Sequence, residues 1–152
     1  MPNEFLILEL GSGARPTELP NSRIIHLDRV EGKHVEIVCD LNHGIPLPSN
    51  IFDQVLAVDV IEHLDDVIAI FNEMHRVLKP NGKAYLSVPI WGSPEHQIDP
   101  THKRGFAHQS FDFFDDTRPL GHANGQVYTK RRWSILRQDV EGRLTFEMQA
   151  IK

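Results

Sequence analysis

The sequence predicts an α/β fold built on a mostly parallel seven-stranded sheet with an antiparallel last strand. Two observations lead to this prediction. Five short apolar runs follow one another between residues 5 and 89, and one helical pattern lies between the fourth and the fifth run. Two further strand-like runs close the chain, and a tight turn at 141–142 joins them as in a hairpin. With only one clear helical pattern, the sheet has a reduced number of crossover helices.

Each element has its own signal in the sequence. The strands are predicted from runs of strand length bounded by turn residues, at 5–8, 24–27, 35–39, 52–58, 84–89, 133–138 and 144–148. The helix is predicted from apolar residues at i, i+4, i+7 and i+11, which are Val67, Phe71, Met74 and Leu78. Asp65 or Asp66 is its N-cap, and the turn at 79–82 ends it.

A glycine turn after the first strand points to a nucleotide-type cofactor. Gly11 and Gly13 let the backbone turn sharply and approach a ligand where a Cβ would clash. Asp28 ends the second strand, where a carboxylate can accept hydrogen bonds from two ribose hydroxyls. The same residues also fit a plain turn and a solvated strand end. Pro16 and Pro20 disfavour the helix that would seat a pyrophosphate, which favours S-adenosylmethionine over a dinucleotide.

Four motifs, in order, carry a resemblance to a known family. They are ELGSG, the acid of HLD, CDL with the FDQVLAVDVIEHL block, and RVLKPNGKAYLSVP, and together they span residues 5–89. The chain resembles class I S-adenosylmethionine-dependent methyltransferases of the broad type 11 group, which implies a Rossmann-like sheet. The cofactor residues that the resemblance implies are Glu9, Gly11, Ser12, Gly13, Asp59 and Val60 at the methionine part, Asp28 at the ribose, and Asp40 and Leu41 at the adenine. Asp40 also fits an Asx-type turn.

A group of carboxylates and histidines is the candidate for catalysis. Methyl transfer to an oxygen needs alignment, exclusion of water and a way to remove a proton. Asp59, Glu62 and His63 have i, i+3 and i+4 spacing, so at a helix start they would share one face. This pattern is similar to the E-x-x-E-H metal motif of ubiquinone-pathway O-methyltransferases and small-RNA 2′-O-methyltransferases, with aspartate replacing the first glutamate. The RNA enzymes take a further histidine from a D-H-K-F loop, and His102 lies in a comparable Asp-Pro-Thr-His-Lys sequence.

Three interpretations of this group remain open. In the first, a divalent ion, Mg²⁺ or Mn²⁺, is bound by Asp59, Glu62, His63 and His102. In the second, His63 or His102 acts directly as the catalytic base. In the third, which involves no chemistry, Glu62 stabilises the helix N-terminus by its charge and His63 packs beneath the lid.

One domain over residues 1–152 is predicted, in three parts. The core covers 5–89. The segment 90–125, rich in histidine, glycine, proline and aromatic residues, forms a lid that sets substrate specificity, with Ser110 capping a short helix through Asp115. The C-terminal hairpin covers 127–151.

Composition limits the classes of function. The net charge of −5 argues against a broad nucleic-acid surface, and the three basic residues at 130–132 fit a solvated strand edge. No apolar stretch reaches membrane-spanning length, and the first residues lack a signal-peptide pattern. The single cysteine, Cys39, excludes an internal disulfide and fits a small buried hydrophobe. These features indicate a cytoplasmic location.

The short connections leave one face of the predicted sheet without helices. Residues 14–22 and 29–34 are too short for crossover helices, and 41–50 shows no helical period. Because a parallel sheet is normally buried on both faces, we expect a homodimer or a partner protein on this face, unless the 14–22 and 41–50 loops cover it.

The leading functional hypothesis is methyl transfer to a hydroxyl, or an amine, of a small or medium acceptor. The rival is a non-catalytic methyltransferase-fold subunit that serves a partner protein. A nicotinamide-dependent oxidoreductase is the third hypothesis.

Overall fold

A computed structural model, which describes residues 4–152, shows a seven-stranded mixed sheet. The strands are β1 (Phe5–Leu10), β2 (Ser22–Asp28), β3 (Ile37–Val38), β4 (Phe52–Val58), β5 (Leu78–Pro89), β6 (Arg132–Val140) and β7 (Arg143–Ile151). Their order across the sheet is β3-β2-β1-β4-β5-β7-β6. The first five strands pair in parallel, and β7 runs antiparallel to both of its neighbours. The predicted α/β fold with an antiparallel last strand is confirmed.

Every strand except β4 differs in length from the prediction, and for β3 and β5 the neighbouring elements explain the difference. The third strand was expected over 35–39 but is only two residues long, because a turn closed by Val35 N–H and Gly32 C=O precedes it and Asp40 caps a 3₁₀ turn after it. The fifth strand begins six residues earlier than expected, at Leu78, which pairs with Phe52 directly after the helix ends. The hairpin strands also extend beyond the predicted ranges.

The one predicted helix is present as α1 (Val67–Val77). Its N-cap is Asp66, whose carboxylate accepts a hydrogen bond from Ala69 N at 2.9 Å. Its apolar side packs into the main core through Ile70, Phe71, Met74 and Val77, all nearly inaccessible to solvent. The remaining helical pieces are short: α2 (Pro94–Ile98), α3 (Gln126–Tyr128), a π turn at Gly121–Gly125, and 3₁₀ turns at Leu41–His43, Ile61–His63 and Asp112–Phe114.

The helix predicted to run from Ser110 through Asp115 is wrong. Only the 3₁₀ turn Asp112–Phe114 forms there, and its first flanking residue is Phe111. The Ser110 hydroxyl instead accepts from Ala107 N at 2.8 Å, which closes the turn before it. This part of the lid folds around its aromatic side chains, since Phe111 and Phe114 both stack on Phe71 of α1.

The two faces of the sheet are covered differently. One face carries Leu8, Val55 and Leu86 and packs against α1 and the lid aromatics in a single large core. The opposite face carries a separate small cluster of Ile7, Ile24 and Leu56, to which no helix of the described chain contributes. We call this second side the helix-poor face. Over residues 4–152 no helix is long and apolar enough to cross a membrane.

The two loops expected to compete for this face behave differently. The 14–22 loop is tied to it, because Thr17 N donates to the Glu9 carboxylate and the three cluster residues are each under 8% exposed. The 41–50 loop lies on the other side, where Ile45 joins the main core and Arg76 of α1 donates to the carbonyls of Ile45 and Leu47. Only one of the two loops therefore covers the helix-poor face.

Candidate active site

A cavity of about 630 Å³ opens at the carboxyl ends of the parallel strands. This is where open α/β sheets bind ligands, at the point where strand order reverses between β1 and β4. The residues predicted to bind cofactor that line it are Gly11, Gly13, Asp28, Asp40, Leu41, Asp59 and Val60. The lid closes its outer side with residues 100–103.

The glycine turn explains why the cavity can exist. Gly11 and Gly13 have φ of +63° and +57°, a region that glycine enters without strain. A Cβ on Gly11 would lie 2.5 Å from Cγ2 of Val60, so a side chain there could not be accommodated. The turn thus keeps backbone at the cavity wall, where a cofactor can approach closely.

Two carboxylates flank this turn at neighbouring strand ends. Asp28 accepts hydrogen bonds from Gly13 N at 2.8 Å and Val30 N at 2.9 Å, one on each oxygen. Each carboxylate oxygen retains a second lone pair for a ribose hydroxyl. Asp40 accepts from Asn42 N at 2.9 Å, so the Asx-type turn at this residue is confirmed while its side chain also lines the cavity.

Glu9 and Ser12, also predicted to bind cofactor, are not brought to the cavity wall. The Glu9 carboxylate is buried and bonded to Thr17 and to Nδ1 of His26, the latter at 2.7 Å. Ser12 is buried as well, and its amide donates to Leu27 C=O at 3.1 Å. Both residues therefore stabilise the glycine turn on the side away from the cavity. A further support that sequence reasoning missed is His34, whose Nε2 donates to Gly13 C=O at 2.7 Å.

The structure brings His63 and His102 together, which confirms the expectation that the lid places one beside the other. Their ring centroids lie 4.8 Å apart. Glu62 joins them, and one ligand atom from each of the three lies within 4.8 Å of the others. We call Glu62, His63 and His102 the histidine cluster. Both histidines line the cavity described above.

Hydrogen bonds fix the tautomer of each histidine. Nδ1 of His102 faces the carbonyl of His96 at 2.9 Å and must donate to it, which leaves Nε2 unprotonated in the neutral ring. Thr101 Oγ1 donates to the Asp99 carboxylate at 2.6 Å, so it accepts from Nδ1 of His63 at 2.9 Å. The hydrogen bonds from Thr101 lower the pKa of Asp99. The Asp99 carboxylate thus remains an acceptor for Thr101. Both Nε2 atoms are therefore free to take a proton or bind a metal.

Glu62 is the most unusual group of the cluster. Its side chain is 0% exposed, and neither carboxylate oxygen has a hydrogen-bond partner. Burial, with a further contribution from the nearby Asp59 charge, raises the pKa of Glu62 from 4.5 to about 7. Nε2 of His102 lies 4.0 Å from its nearer oxygen. A cation or a proton placed here would satisfy an otherwise orphaned carboxylate.

Asp59 is not part of this group, which corrects the predicted four-residue set of metal ligands. No helix starts at Asp59: Val60 precedes a single 3₁₀ turn, and α1 begins only at Val67, so the helical spacing argument was wrong. Asp59 has φ of +55°, and its carboxylate forms an ion pair with Arg143 of β7. Sequence reasoning missed Arg143, because only the pairing of β5 with β7 brings it there.

Comparison with known proteins agrees with this geometry. A family model described as a methyltransferase domain matches residues 19–86. Within that range lie Asp28, Asp40 and the start of the histidine cluster. The match covers 68 of the 152 residues, and over that range the chain is similar to methyltransferases. An uncharacterized methyltransferase of Mycobacterium sp. strain JLS is 31% identical over 98 residues, which are 63% of this chain and 38% of that protein. The chain thus spans well under half the length of this curated relative.

Solved structures share the class I methyltransferase fold. A SAM-dependent methyltransferase of Thermotoga maritima aligns with a TM-score of 0.66 at 16% identity, over 96% of this chain and 82% of that one. A methyltransferase complexed with the Trm112 methyltransferase activator of Haloferax volcanii aligns with a TM-score of 0.65 at 12% identity, over 98% and 84%. At these identities the likeness concerns the fold alone.

Proposed function

We propose that this chain is a class I methyltransferase that binds S-adenosylmethionine and transfers its methyl group to a hydroxyl, or an amine, of a small or medium acceptor. The observation that carries the proposal is the position of the two free histidine Nε2 atoms, on the lid side of the cavity that Gly11 and Asp28 line. The proposed catalytic base and the proposed cofactor-binding site thus share one cavity.

The residues of the cavity fit this cofactor. The glycine turn gives a wall without side chains, Asp28 has lone pairs for the ribose, and Leu41 offers an apolar contact for the adenine. The strands lie in the order β3-β2-β1-β4. With the adenine near β3 and the ribose at β2, the rest of the cofactor would extend past Gly11 toward β4. The cofactor, when bound, supplies a methyl group on a positively charged sulfur. That end then faces the histidine cluster.

The chemistry assigned to the chain is proton removal and alignment. Nε2 of His63 or His102 would accept the proton that the acceptor hydroxyl loses when its oxygen takes the methyl group from the cofactor's sulfur, with cleavage of the carbon–sulfur bond. The hydrogen bond from His63 to Thr101 keeps the ring oriented, and the ionised Glu62 carboxylate stabilises a protonated His102. The lid is held down beside them, since Lys103 N donates to Glu62 C=O at 2.8 Å and Arg104 donates to Leu64 C=O at 3.0 Å. A closed lid excludes water from the reacting atoms.

Radiolabelled methyl transfer tests the proposal. The chain is incubated with methyl-labelled S-adenosylmethionine and a panel of small phenols, diols and amines. His63→Ala and His102→Ala should each reduce the rate with a hydroxyl acceptor by about 100-fold or more, the usual effect of losing a general base. His122→Ala is the matched control, because His122 is exposed in the π turn outside the cavity. Equal rates in all three variants would contradict the assignment.

A divalent cation at the histidine cluster is a second candidate, favoured by the orphaned oxygens of Glu62. The residues that would hold it are Glu62, His63 and His102. One carboxylate with two imidazoles suits Mn²⁺ better than Mg²⁺, which prefers oxygen ligands. Loss of transfer after chelation, with recovery on adding Mn²⁺, would support the cation. Indifference to chelation would leave a histidine base.

The rival hypothesis is a non-catalytic subunit that serves a partner protein. The helix-poor face favours it. A thermal-shift measurement separates the hypotheses, since a ligand that binds the native state raises the unfolding midpoint. S-adenosylhomocysteine should raise it and NADP should not. No shift with S-adenosylhomocysteine would favour the rival, and a shift with NADP alone would favour an oxidoreductase.

A further inference from the structure

The carbonyl of Gly13 is held by a side chain on the helix-poor face. Nε2 of His34 donates to it at 2.7 Å, and over residues 4–152 no backbone N–H does so. Where a helix follows such a turn directly, the carbonyls at its start accept from N–H groups four residues further along the chain. This chain continues into the 14–22 loop instead. The His34 side chain therefore makes the hydrogen bond that a crossover helix would supply.

A row of polar side chains on the same face fixes the His34 ring. Glu9 of β1 and His26 of β2 are direct partners in the parallel ladder, and the Glu9 carboxylate bonds Nδ1 of His26 at 2.7 Å. The His34 ring packs edge-on against the His26 ring, with centroids 5.8 Å apart and ring planes at 88°. Thr17 of the 14–22 loop completes the row, since its amide donates to Glu9. The row thus links His34 to the two strands that flank the glycine turn.

Gly13 is held from two sides. Its N–H donates to the Asp28 carboxylate at 2.8 Å, and its C=O accepts from His34. The residue has φ of +57° and lines the cavity. Glycine has more backbone freedom than any other residue, so its conformation in a turn depends on such external hydrogen bonds. Without the bond from His34, the peptide that follows Gly13 is free to rotate.

We propose that His34 is a positioning residue for the cofactor, which holds the glycine turn in the conformation that forms the cavity wall, in place of a crossover helix after β1. The inference rests on the proposed function, because the turn is the proposed cofactor contact. His34 acts through Gly13 and does not itself line the cavity. When only a fraction of the molecules has the competent turn, the apparent dissociation constant rises by the reciprocal of that fraction. Loss of this hydrogen bond should therefore weaken cofactor binding.

Calorimetric titration of four variants with S-adenosylhomocysteine tests the role of the hydrogen bond. His34→Ala should weaken binding by about three- to ten-fold, the equivalent of one neutral hydrogen bond. His34→Gln should restore the affinity to within about two-fold of the unaltered chain, because the glutamine amide nitrogen can occupy the position of Nε2. His34→Asn should not restore it, because the shorter side chain reaches only the position of Nδ1. Lys33→Ala, at an exposed neighbour in the same loop, is the matched control and should leave the affinity unchanged.

Two results would overturn the proposal. Unchanged affinity in His34→Ala would show that the turn keeps its conformation without the hydrogen bond. Equal losses in the alanine, glutamine and asparagine variants would show that packing of the imidazole ring matters and the donor does not. If the unaltered chain does not bind S-adenosylhomocysteine, the proposed function itself fails, which is distinguishable from both results.

Discussion

At the scale of single residues, Asp28 joins the glycine turn to the proposed ribose site. Replacing Asp28 with Ala removes the acceptors of Gly13 N and Val30 N as well as the lone pairs intended for the ribose. Each charge-assisted hydrogen bond contributes about 1.5–3 kcal/mol, so we expect at least about a ten-fold weaker affinity for S-adenosylhomocysteine by calorimetry. Asp139→Ala, which alters an exposed carboxylate in the C-terminal hairpin, is the control. Unchanged affinity in Asp28→Ala would contradict the cofactor assignment.

The buried Glu62 carboxyl should make stability depend on pH. Its pKa is near 4.5 when unfolded and about 7 when folded, so the folded chain binds more protons between these values. Stability of the metal-free chain should therefore fall as pH rises through this window and level off above pH 7. Relative to Glu62→Gln, the unaltered chain should lose roughly 2 kcal/mol between pH 5 and pH 8 in urea unfolding.

Glu73 is the comparison for Glu62, because its pKa is shifted in the opposite direction. Hydrogen bonding to Arg76 lowers the pKa of Glu73, so this carboxylate stays ionised from pH 5 to pH 8. The stability difference between the unaltered chain and Glu73→Gln should then be constant over that range. A constant difference for Glu62→Gln as well would show that Glu62 is ionised throughout.

Sequence reasoning found the site residues that have a local signal. It missed those whose partner is distant in the sequence. Gly11 and Gly13 were found because a turn with positive φ is a local requirement. His102 was found because its loop resembles a known motif. Arg143 was missed since it meets Asp59 over a separation of 84 residues, set by the register of β5 on β7. No local pattern encodes such a register.

At the scale of elements, the structure selects between two candidate caps of α1. Asp66 accepts from Ala69 N, whereas the Asp65 carboxylate pairs with Lys103 of the lid. Asp66→Ala should therefore destabilise the chain by about 1 kcal/mol in urea unfolding, the usual value of an N-cap. Asp65→Ala removes an exposed ion pair and should cost less than about 0.5 kcal/mol. The reverse ranking would show that the cap is wrongly assigned.

Elements with strong periodicity were predicted well, and short ones were not. The apolar repeat of α1 and the alternation of the hairpin strands fixed their type, since burial on one face requires it. The segment 59–63 resembled a helix start by spacing alone, but positive φ at Asp59 and a 3₁₀ turn separate it from α1. The spacing of only three residues, Asp59, Glu62 and His63, cannot distinguish the start of an α-helix from a single 3₁₀ turn.

At the scale of the whole molecule, the exposed area is larger than that of a typical monomer. The chain exposes 8660 Å², whereas a compact monomer of 17.4 kDa exposes about 7,900 Å². The exposed apolar side chains of the helix-poor face, Phe5, Val58 and Tyr85, are 46%, 44% and 38% accessible. These values favour association through that face.

We therefore expect a homodimer that uses the helix-poor face, measured by light scattering as a mass twice the 17.4 kDa of one chain. Tyr85→Lys should shift the population to monomer, because it places a charge in the apolar contact. In the isolated chain the new lysine would face Glu147, which already pairs with Lys83, across the strands. Val127→Lys is the control, since Val127 is 81% exposed but lies in α3, outside the sheet. A soluble monomer at high concentration, before any substitution, would show that the 14–22 loop and the polar side chains of β5 and β7 suffice to cover the sheet.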